Sequence, residues 1–442
     1  MIEIYAVGGY NEVGKNCTAV KIDDEVLIVD LGIHLEPYIK LTEDEDFVKI
    51  DSKKLTDVGA IPNVSILDKI KNKVKAIVIS HGHLDHVGAV PYLANNFNAP
   101  VVSCPYTCEI IKSILKDERI KIKNEIKSVN VNSFYKASDN IKIEFVHITH
   151  SIPHSTLVAI HTKYGVVLYA NDFKLDIHPT LGKKPDFKRL KELGNENVIA
   201  LVIESTYASL PGKTPSERVA KEMLEDVLLG VDNKDNLIIV TTFSSHIARL
   251  KSIIEFGKKL NRKIVFLGRS LAKYVKAAEK LNIVNFSNDV DIVKYGRQIE
   301  KKLNKIDKDR KKYLLVTTGH QGEPKSVLNK ISTGVIKFKL YPEDNVIFSC
   351  RTIPTPVNIA NREALENELK LTGVRIFKDI HQSGHAARED LRDFINIVKP
   401  KNIIPAHGTK EMKDALAELA VEMGYKVGKN VFLIKDGQKI GL

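Results

Sequence analysis

Six residues constrain this chain more than any other stretch: His81-Gly82-His83-Leu84-Asp85-His86. Four side chains able to bind a metal stand there, directly after the compact apolar run AIVIS at 76–80. On one straight helix, residues two apart point about 200° away from each other. A single helix therefore cannot aim all four at one point. A buried strand turning into a helix can, with His81 and His83 on the loop and Asp85 and His86 in the first helical turn. This differs from the HExxH arrangement, where both histidines share one helical face. Histidine with carboxylate suits Zn²⁺ or Mn²⁺. Further ligand types close other apolar runs: Asp30 ends EVLIVD, His150 follows EFVHIT, Asp172 ends VVLYAND, and His407 follows NIIPA. An isolated Asp at a strand end reads as a turn residue. Several at successive strand ends, beside a histidine cluster, read as a site carried on a rigid scaffold.

The remainder supplies the frame. At roughly 100–200 residues per domain, 442 residues make two to four domains. No apolar run reaches the length of a membrane span, and the N-terminus MIEIYAVGGYNEVGKN lacks the basic and apolar regions of a secretory signal. The cytoplasm is the expected location, with no membrane partner. Lys and Arg outnumber Asp and Glu by 67 to 55, a net charge of +12 that favours a polyanionic partner, nucleic acid first. Cys17, Cys104, Cys108 and Cys350 are too few for a disulfide framework, and CPYTC has the wrong spacing for a metal knuckle, so reduced, buried thiols are expected. Up to about Tyr207 short β-like runs alternate with loops. From there SERVAKEMLEDVLLG, NLIIVTTF, HIARLKSIIEFGKKL, KIVFLG, SLAKYVKAAEKL and YLLVTTG alternate helix and strand, the pattern of a parallel α/β layer. The expected domains are 1–207 and 363–442 as two parts of one unit, with 208–362 inserted between them.

Taken in order, Asp30, the run His81 to His86, His150, Asp172 and His407 resemble the motifs of the metallo-β-lactamase superfamily. The resemblance implies an αββα sandwich. It further implies one metal held by His81, His83 and His150, and a second by Asp85, His86 and His407. Asp172 would bridge them, and Asp30 would orient the HxHxDH loop. Two Zn²⁺ per chain, with Mn²⁺ as the alternative, would share a hydroxide and offset charge on a phosphodiester.

Three more motifs narrow the branch. Glu204 in LVIESTYA, Ser383-Gly384-His385 in SGHAAREDL, and His407 in PAHG resemble motifs A, B and C of the β-CASP nucleic-acid-processing enzymes. The α/β stretch matches their inserted domain in size and place. GGYNEVGKN, THSIPHS, ANDFK and TGHQGEP bring the chain nearest to the RNase J group, in the short archaeal type without the additional C-terminal domain. Three residues depart from that pattern: His154 replaces an Asp, His320 a Ser, and Thr409 an acid.

The implied activity is 5′→3′ exonucleolytic cleavage of single-stranded RNA with a 5′-monophosphate end, by a homodimer. Asp85, Asp172, Glu204 and His385 form the expected catalytic set, with His385 at the scissile phosphate and Glu204, working with a neighbouring His, delivering a proton to the leaving oxygen. Gly319, His320, Gln321, Gly322, Ser383, Gly384 and His385 are the expected phosphate contacts, through backbone N–H groups of glycine-bearing turns. The basic stretch 300–313 reads as a solvated helix or as an RNA guide. The alternatives are an endoribonuclease, a DNA nuclease (disfavoured by His407) and an RNA-binding scaffold with a dead site (disfavoured by the full ligand set).

Overall fold

A computed structural model describes residues 1–44 and 51–442. Two compact units are present: 1–177, 184–214 and 384–442 form the first, and 178–183 with 215–383 the second. The sequence-read limits at 207/208 and 362/363 stand beside these at 214/215 and 383/384. The helix Pro356–Leu371 spans the later sequence-read limit. The strand after it, Arg375–Phe377, pairs in parallel with Asn345–Phe348 of the second unit's sheet.

The first unit is a two-sheet sandwich. One sheet has seven strands in the order Lys439–Gly441, Ile2–Gly8, Cys17–Ile22, Glu25–Val29, Val74–Ile79, Val101–Ser103, Ile126–Ser128. The other has six, in the order Ile403–Ala406, Val198–Glu204, Gly165–Ala170, Thr156–Thr162, Lys142–His147, Phe134–Lys136. β-Branched and apolar residues of both sheets, including Ile4, Val20, Ala76, Phe145, Val158, Val202 and Ile404, bury one shared core. On the second sheet's other face, Leu190, Leu391, Phe394, Leu416 and Leu419 come from the helices Phe187–Leu193, Arg388–Val398 and Lys410–Glu422. With helices on that face, and the helix Pro105–Asp117 packed against Val101–Ser103 and Ile126–Ser128 of the first sheet, the layers are αββα, as the resemblance implied.

HVGAVPYLANNF, which carries helical periodicity, is broken into Leu84–Val87, Val90–Leu93 and the single 3₁₀ turn Ala94–Asn96. Pro91 stands in the first turn of the second piece, where its missing N–H costs nothing and where it cannot continue the preceding helix.

In the second unit all five strand pairings are parallel, and the order is Val290–Val293, Lys263–Leu267, Tyr313–Thr317, Ile238–Thr241, Asn345–Phe348, Arg375–Phe377. Arg249 is fully buried and forks onto Glu217 at 2.6 and 2.8 Å, while also donating to Ser349 and the Ile380 carbonyl. The 300–313 stretch is heavily ion-paired. Lys302 meets Asp291, Arg310 meets Asp307 and Asp344, Lys311 meets Asp235, and Lys312 meets Asp309. Such pairing leaves less net charge for guiding RNA than the sequence alone suggests.

His154 shows what one departure does locally. Its Nδ1 accepts from the Tyr106 N–H at 3.4 Å, in the first turn of the helix Pro105–Asp117. A helix N-terminus favours an anionic acceptor, and backbone at φ 57° tolerates Asp well. Burial, with His147 nearby, pulls the His154 pKa down. The unfolded chain therefore binds more protons here, and this residue's share of stability is lost as pH falls through about 6.5. His154→Asp is expected to raise the melting temperature by roughly 1–3 °C at pH 8. The gap should widen on acidification to pH 5.5, as scanning calorimetry or fluorescence melting would read. A variant less stable than wild type at both pH values would contradict this account.

Candidate metal centre

The site starts at two parallel strand ends. Glu25–Val29 and Val74–Ile79 pair in parallel, so Asp30 and Ser80 emerge side by side. Buried Asp30 turns the chain at φ 62°. Its Oδ1 accepts the Ser80 N–H at 2.8 Å, and its Oδ2 accepts the Ser80 hydroxyl at 2.9 Å and the His86 Nδ1–H at 2.7 Å. With its proton given to Asp30, the Ser80 oxygen accepts the His81 Nδ1–H at 3.1 Å. His83 is the N-cap of the helix Leu84–Val87. The strand-turn-helix read from the sequence is thus what delivers His81, His83, Asp85 and His86.

The other strand ends close on the same point. Asp172 follows Gly165–Ala170 at φ 61°, and His407 follows Ile403–Ala406 at φ 51°. The His407 N–H donates to the Gly9 carbonyl at 2.7 Å, and its own carbonyl accepts the Thr206 hydroxyl at 3.1 Å. Its Nδ1–H donates to Asn16 Oδ1 at 2.8 Å. His150 donates its Nδ1–H to the Gly384 carbonyl at 2.7 Å. A side chain at 384 would sit 2.8 Å from the His150 ring, so this approach needs glycine. With Nδ1 as the donor in each of His81, His86, His150 and His407, Nε2 is the nitrogen left to face a cation. Such partners set tautomer and orientation in metal sites.

Among the described residues two groups of ligand atoms gather around the histidines, His81, His83, His150 with Asp172, and Asp85, His86, His407 with Asp172, and a third joins Asp172 to Glu204 and His385. In the first, His83 Nδ1 lies 3.2 Å from His81 Nε2 and 3.0 Å from His150 Nε2, and Asp172 Oδ2 lies 3.5 Å from both Nε2 atoms. In the second, His86 Nε2 is 3.6 Å from Asp85 Oδ2 and 3.2 Å from Asp172 Oδ2. His407 Nε2 is 3.7 Å from Asp85 Oδ2 and 3.3 Å from Asp172 Oδ1. A tetrahedral cation bound at about 2.0–2.1 Å keeps its ligands roughly 3.3–3.4 Å apart, so both groups fit. His407 Nε2 and Asp172 Oδ1 are buried and make no hydrogen bond, which is costly unless something else meets them. Zn²⁺ and Mn²⁺ both suit this nitrogen and carboxylate donor set.

Electrostatics point the same way. Burial holds His83 and His150 well below the ordinary histidine range and lowers His81, so all three offer neutral nitrogens. Burial alone would lower His86 as well, yet the Asp172, Asp85 and Asp30 carboxylates push it well up. The four cysteines are free and buried, and burial raises their pKa values, Cys350 to about 12 and Cys108 to about 11.

Beside the ligands, Glu204 and His385 form a pair. Fully buried Glu204 accepts the Phe173 N–H on Oε1 at 2.7 Å and the His385 Nδ1–H on Oε2 at 2.6 Å. Burial works against a charged His385, but the Glu204 and Asp172 carboxylates hold its pKa up at about 10. The structure thus brings together Asp30, His81, His83, Asp85, His86, His150, Asp172, Glu204, Gly384, His385 and His407. The turn Gly319, His320, Gln321, Gly322 belongs to the second unit, as does Ser383. In that turn the Gln321 N–H donates to Glu323 at 3.0 Å and the Gly322 N–H to the Gly319 carbonyl at 3.1 Å. The Gln321 side chain braces 351–353, bonding the Arg351 carbonyl and the Ile353 N–H. His320 packs its ring 4.2 Å from that of Phe243. Ser80 and Asn16 were given no role on the sequence. Position beside the HxHxDH run was the available signal for Ser80. The asparagine ending GGYNEVGKN was the signal for Asn16.

A sandwich whose strand ends gather five histidines and two aspartates is that of a metallo-β-lactamase-type protein. Residues 10–207 match the metallo-beta-lactamase superfamily, 235–367 the family described as ribonuclease J, beta-CASP domain, and 374–433 the Zn-dependent metallo-hydrolase RNA specificity domain. Ribonuclease J of Methanocaldococcus jannaschii is 45% identical over 99% of this chain and 98% of its own. Ribonuclease J of Pyrococcus abyssi is 45% identical over 100% of this chain and 97% of its own. Ribonuclease J 2 of Staphylococcus aureus is 32% identical over 99% of this chain and 74% of its own. A crystal structure from Enterococcus faecalis, titled a protein of unknown function, shares the fold with a TM-score of 0.69 at 18% identity, covering 100% of both chains. The chain belongs to the ribonuclease J family. No helix among the described residues is long and apolar enough to cross a membrane.

Proposed function

We propose that this chain is a zinc-dependent ribonuclease that removes nucleotides from the 5′ end of single-stranded RNA, preferring a 5′-monophosphate. The observation that carries metal-dependent hydrolysis is the convergence of both ligand groups on Asp172, with His407 Nε2 and Asp172 Oδ1 buried and unbonded between them. RNA as the substrate rests on the names of the relatives, the RNA specificity match at 374–433 and the net charge of +12. The 5′ direction, the homodimer and the cytoplasmic location rest on family likeness.

When bound, the divalent cations supply Lewis acidity, activating water at neutral pH and offsetting charge on the phosphodiester. The chain's own residues do the rest. Asp30, Ser80, Gly384 and Asn16 hold the imidazoles in the ligating tautomer. His385 contacts the scissile phosphate and passes its proton to the departing 3′ oxygen, leaving a 5′-phosphate on the downstream strand. Glu204 orients His385 as a positioning residue. At the 5′ end, His320 is the contact this reading favours, because two backbone donors of its turn are already engaged.

The test uses 3′-labelled RNA with a 5′-hydroxyl, monophosphate or triphosphate, and protein stripped by chelator then reloaded with Zn²⁺ or Mn²⁺. The expected result is no cleavage when stripped, and stepwise loss from the 5′-monophosphate end when reloaded. Internal fragments indifferent to the 5′ group would replace the exonuclease with an endonuclease. No cleavage after reloading, with RNA still bound, would leave a scaffold.

A further inference from the structure

The GGYNEVGKN loop is built around one side chain. Asn16 is 1% exposed, and every polar group it has faces the centre or the segments that form it. Oδ1 accepts the His407 Nδ1–H at 2.8 Å. Nδ2 donates to the Asp85 carbonyl at 3.1 Å and lies 3.0 Å from His86 Nε2. The backbone N–H donates to the same Asp85 carbonyl at 3.0 Å, and the backbone carbonyl accepts the Gly32 N–H at 3.0 Å. One residue thus touches Asp85, His86 and His407, three ligands from chain segments more than 300 residues apart. His81 bonds to Ser80, His150 to Gly384 and Ser151, and both lie against His83.

The loop's composition follows from this placement. Gly9 has φ +84°, and a Cβ there would stand 2.6 Å from Asn16 Oδ1. The Gly9 carbonyl accepts the His407 N–H. The loop is pinned from the far end of the chain: Asp436 Oδ1 accepts the Tyr10 N–H at 2.9 Å, and buried Lys413 donates to the carbonyls of Tyr10 and Ile434.

We propose that Asn16 is the positioning residue of one half of the centre, setting Asp85, His86 and His407 for the second cation and leaving the His81–His83–His150 position alone. The amide does two jobs at once. Its oxygen demands a proton on His407 Nδ1, which turns the lone pair of Nε2 inward. Its nitrogen ties that imidazole to the Asp85 backbone. The inference rests on the two-cation reading above.

The experiment titrates zinc into chelator-stripped full-length protein, read by competition with a chromophoric chelator. Wild type is expected to bind two ions. Asn16→Ala should bind one with wild-type affinity and the other about 10–100-fold more weakly. Asn16→Asp keeps the acceptor for His407 and loses the donor to Asp85, so it should fall between the two, and it carries the test if the alanine variant does not fold. Gly9→Ala, which crowds Asn16 Oδ1, should weaken the same ion. Two ions in wild type and two of unchanged affinity in Asn16→Ala would overturn this inference alone. Equal weakening of both ions would also overturn it, since that marks a general loss of structure. Fewer than two ions in wild type would overturn the two-cation reading and this inference with it.

Discussion

Asp172→Asn is expected to lower RNA cleavage by at least about 10³-fold while RNA binding persists. One carboxylate serves both ligand groups. Its Oδ2 lies 3.5 Å from His81, 3.5 Å from His150 and 3.2 Å from His86, and its Oδ1 lies 3.3 Å from His407. Burial would favour the neutral acid, but the imidazoles of His407 and His86, with His385 and His81, hold the pKa well below the ordinary carboxylate range. The group is therefore charged where a cation needs it. Asn keeps the volume and accepts φ 61°, so the fold should survive. It loses the negative charge and one of two oxygens, and metal content should fall from two ions per chain to one or none. Full activity, or two ions retained at wild-type affinity, would remove Asp172 from the centre. Filter binding under the same conditions separates this from loss of RNA affinity.

Much of this was legible because the strands are short, apolar and closed by polar residues. IEIYAVGG, CTAVKI, TLVAIHT and NVIALVIES read as strands and are strands. The ligands stand past the ends of other such strands, Val74–Ile79, Gly165–Ala170 and Ile403–Ala406, because buried strands leave only their ends for polar side chains. Non-local features had no sequence signal. Lys439–Gly441 is three residues long and pairs with Ile2–Gly8 from the opposite terminus. Nothing within KIG marks that partner. The acids that pair with the 300–313 basic residues include Asp235, Asp291 and Asp344, which lie far away in sequence or on other elements. Asn16 was hidden for a different reason. An asparagine in a glycine-bearing loop reads as a turn former, and its two-sided amide acquires a role only when His407 folds back onto it. Glu204 was read as delivering a proton with a neighbouring histidine. The folded chain gives that neighbour a number, His385, and commits both carboxylate oxygens.

His385→Ala is expected to lower kcat by about 10²–10⁴-fold at saturating RNA, with two ions still bound. The pair is ordered from inside outward: Glu204 is fully buried, whereas the His385 side chain is 22% exposed. Glu204 cannot reach a substrate oxygen without abandoning the Phe173 N–H and the His385 ring, so a proton leaving this pair leaves from the imidazole. Its Nδ1 faces Glu204 at 2.6 Å, which commits Nε2 to the opposite side. His385 groups with Asp172 and Glu204 rather than with the ligands around His83 or His407, and its Nδ1 is committed to Glu204, so its removal should spare ion content where Asp172→Asn does not. Glu204→Gln keeps the shape and weakens the orientation and charge support of the imidazole. Its loss should be smaller than that of His385→Ala and should appear in kcat rather than in KM. Combining the two substitutions should cost little more than His385→Ala alone, since both act through one proton. Additive losses would separate Glu204 from His385. Loss of ions in His385→Ala would reassign the histidine to the metal centre itself.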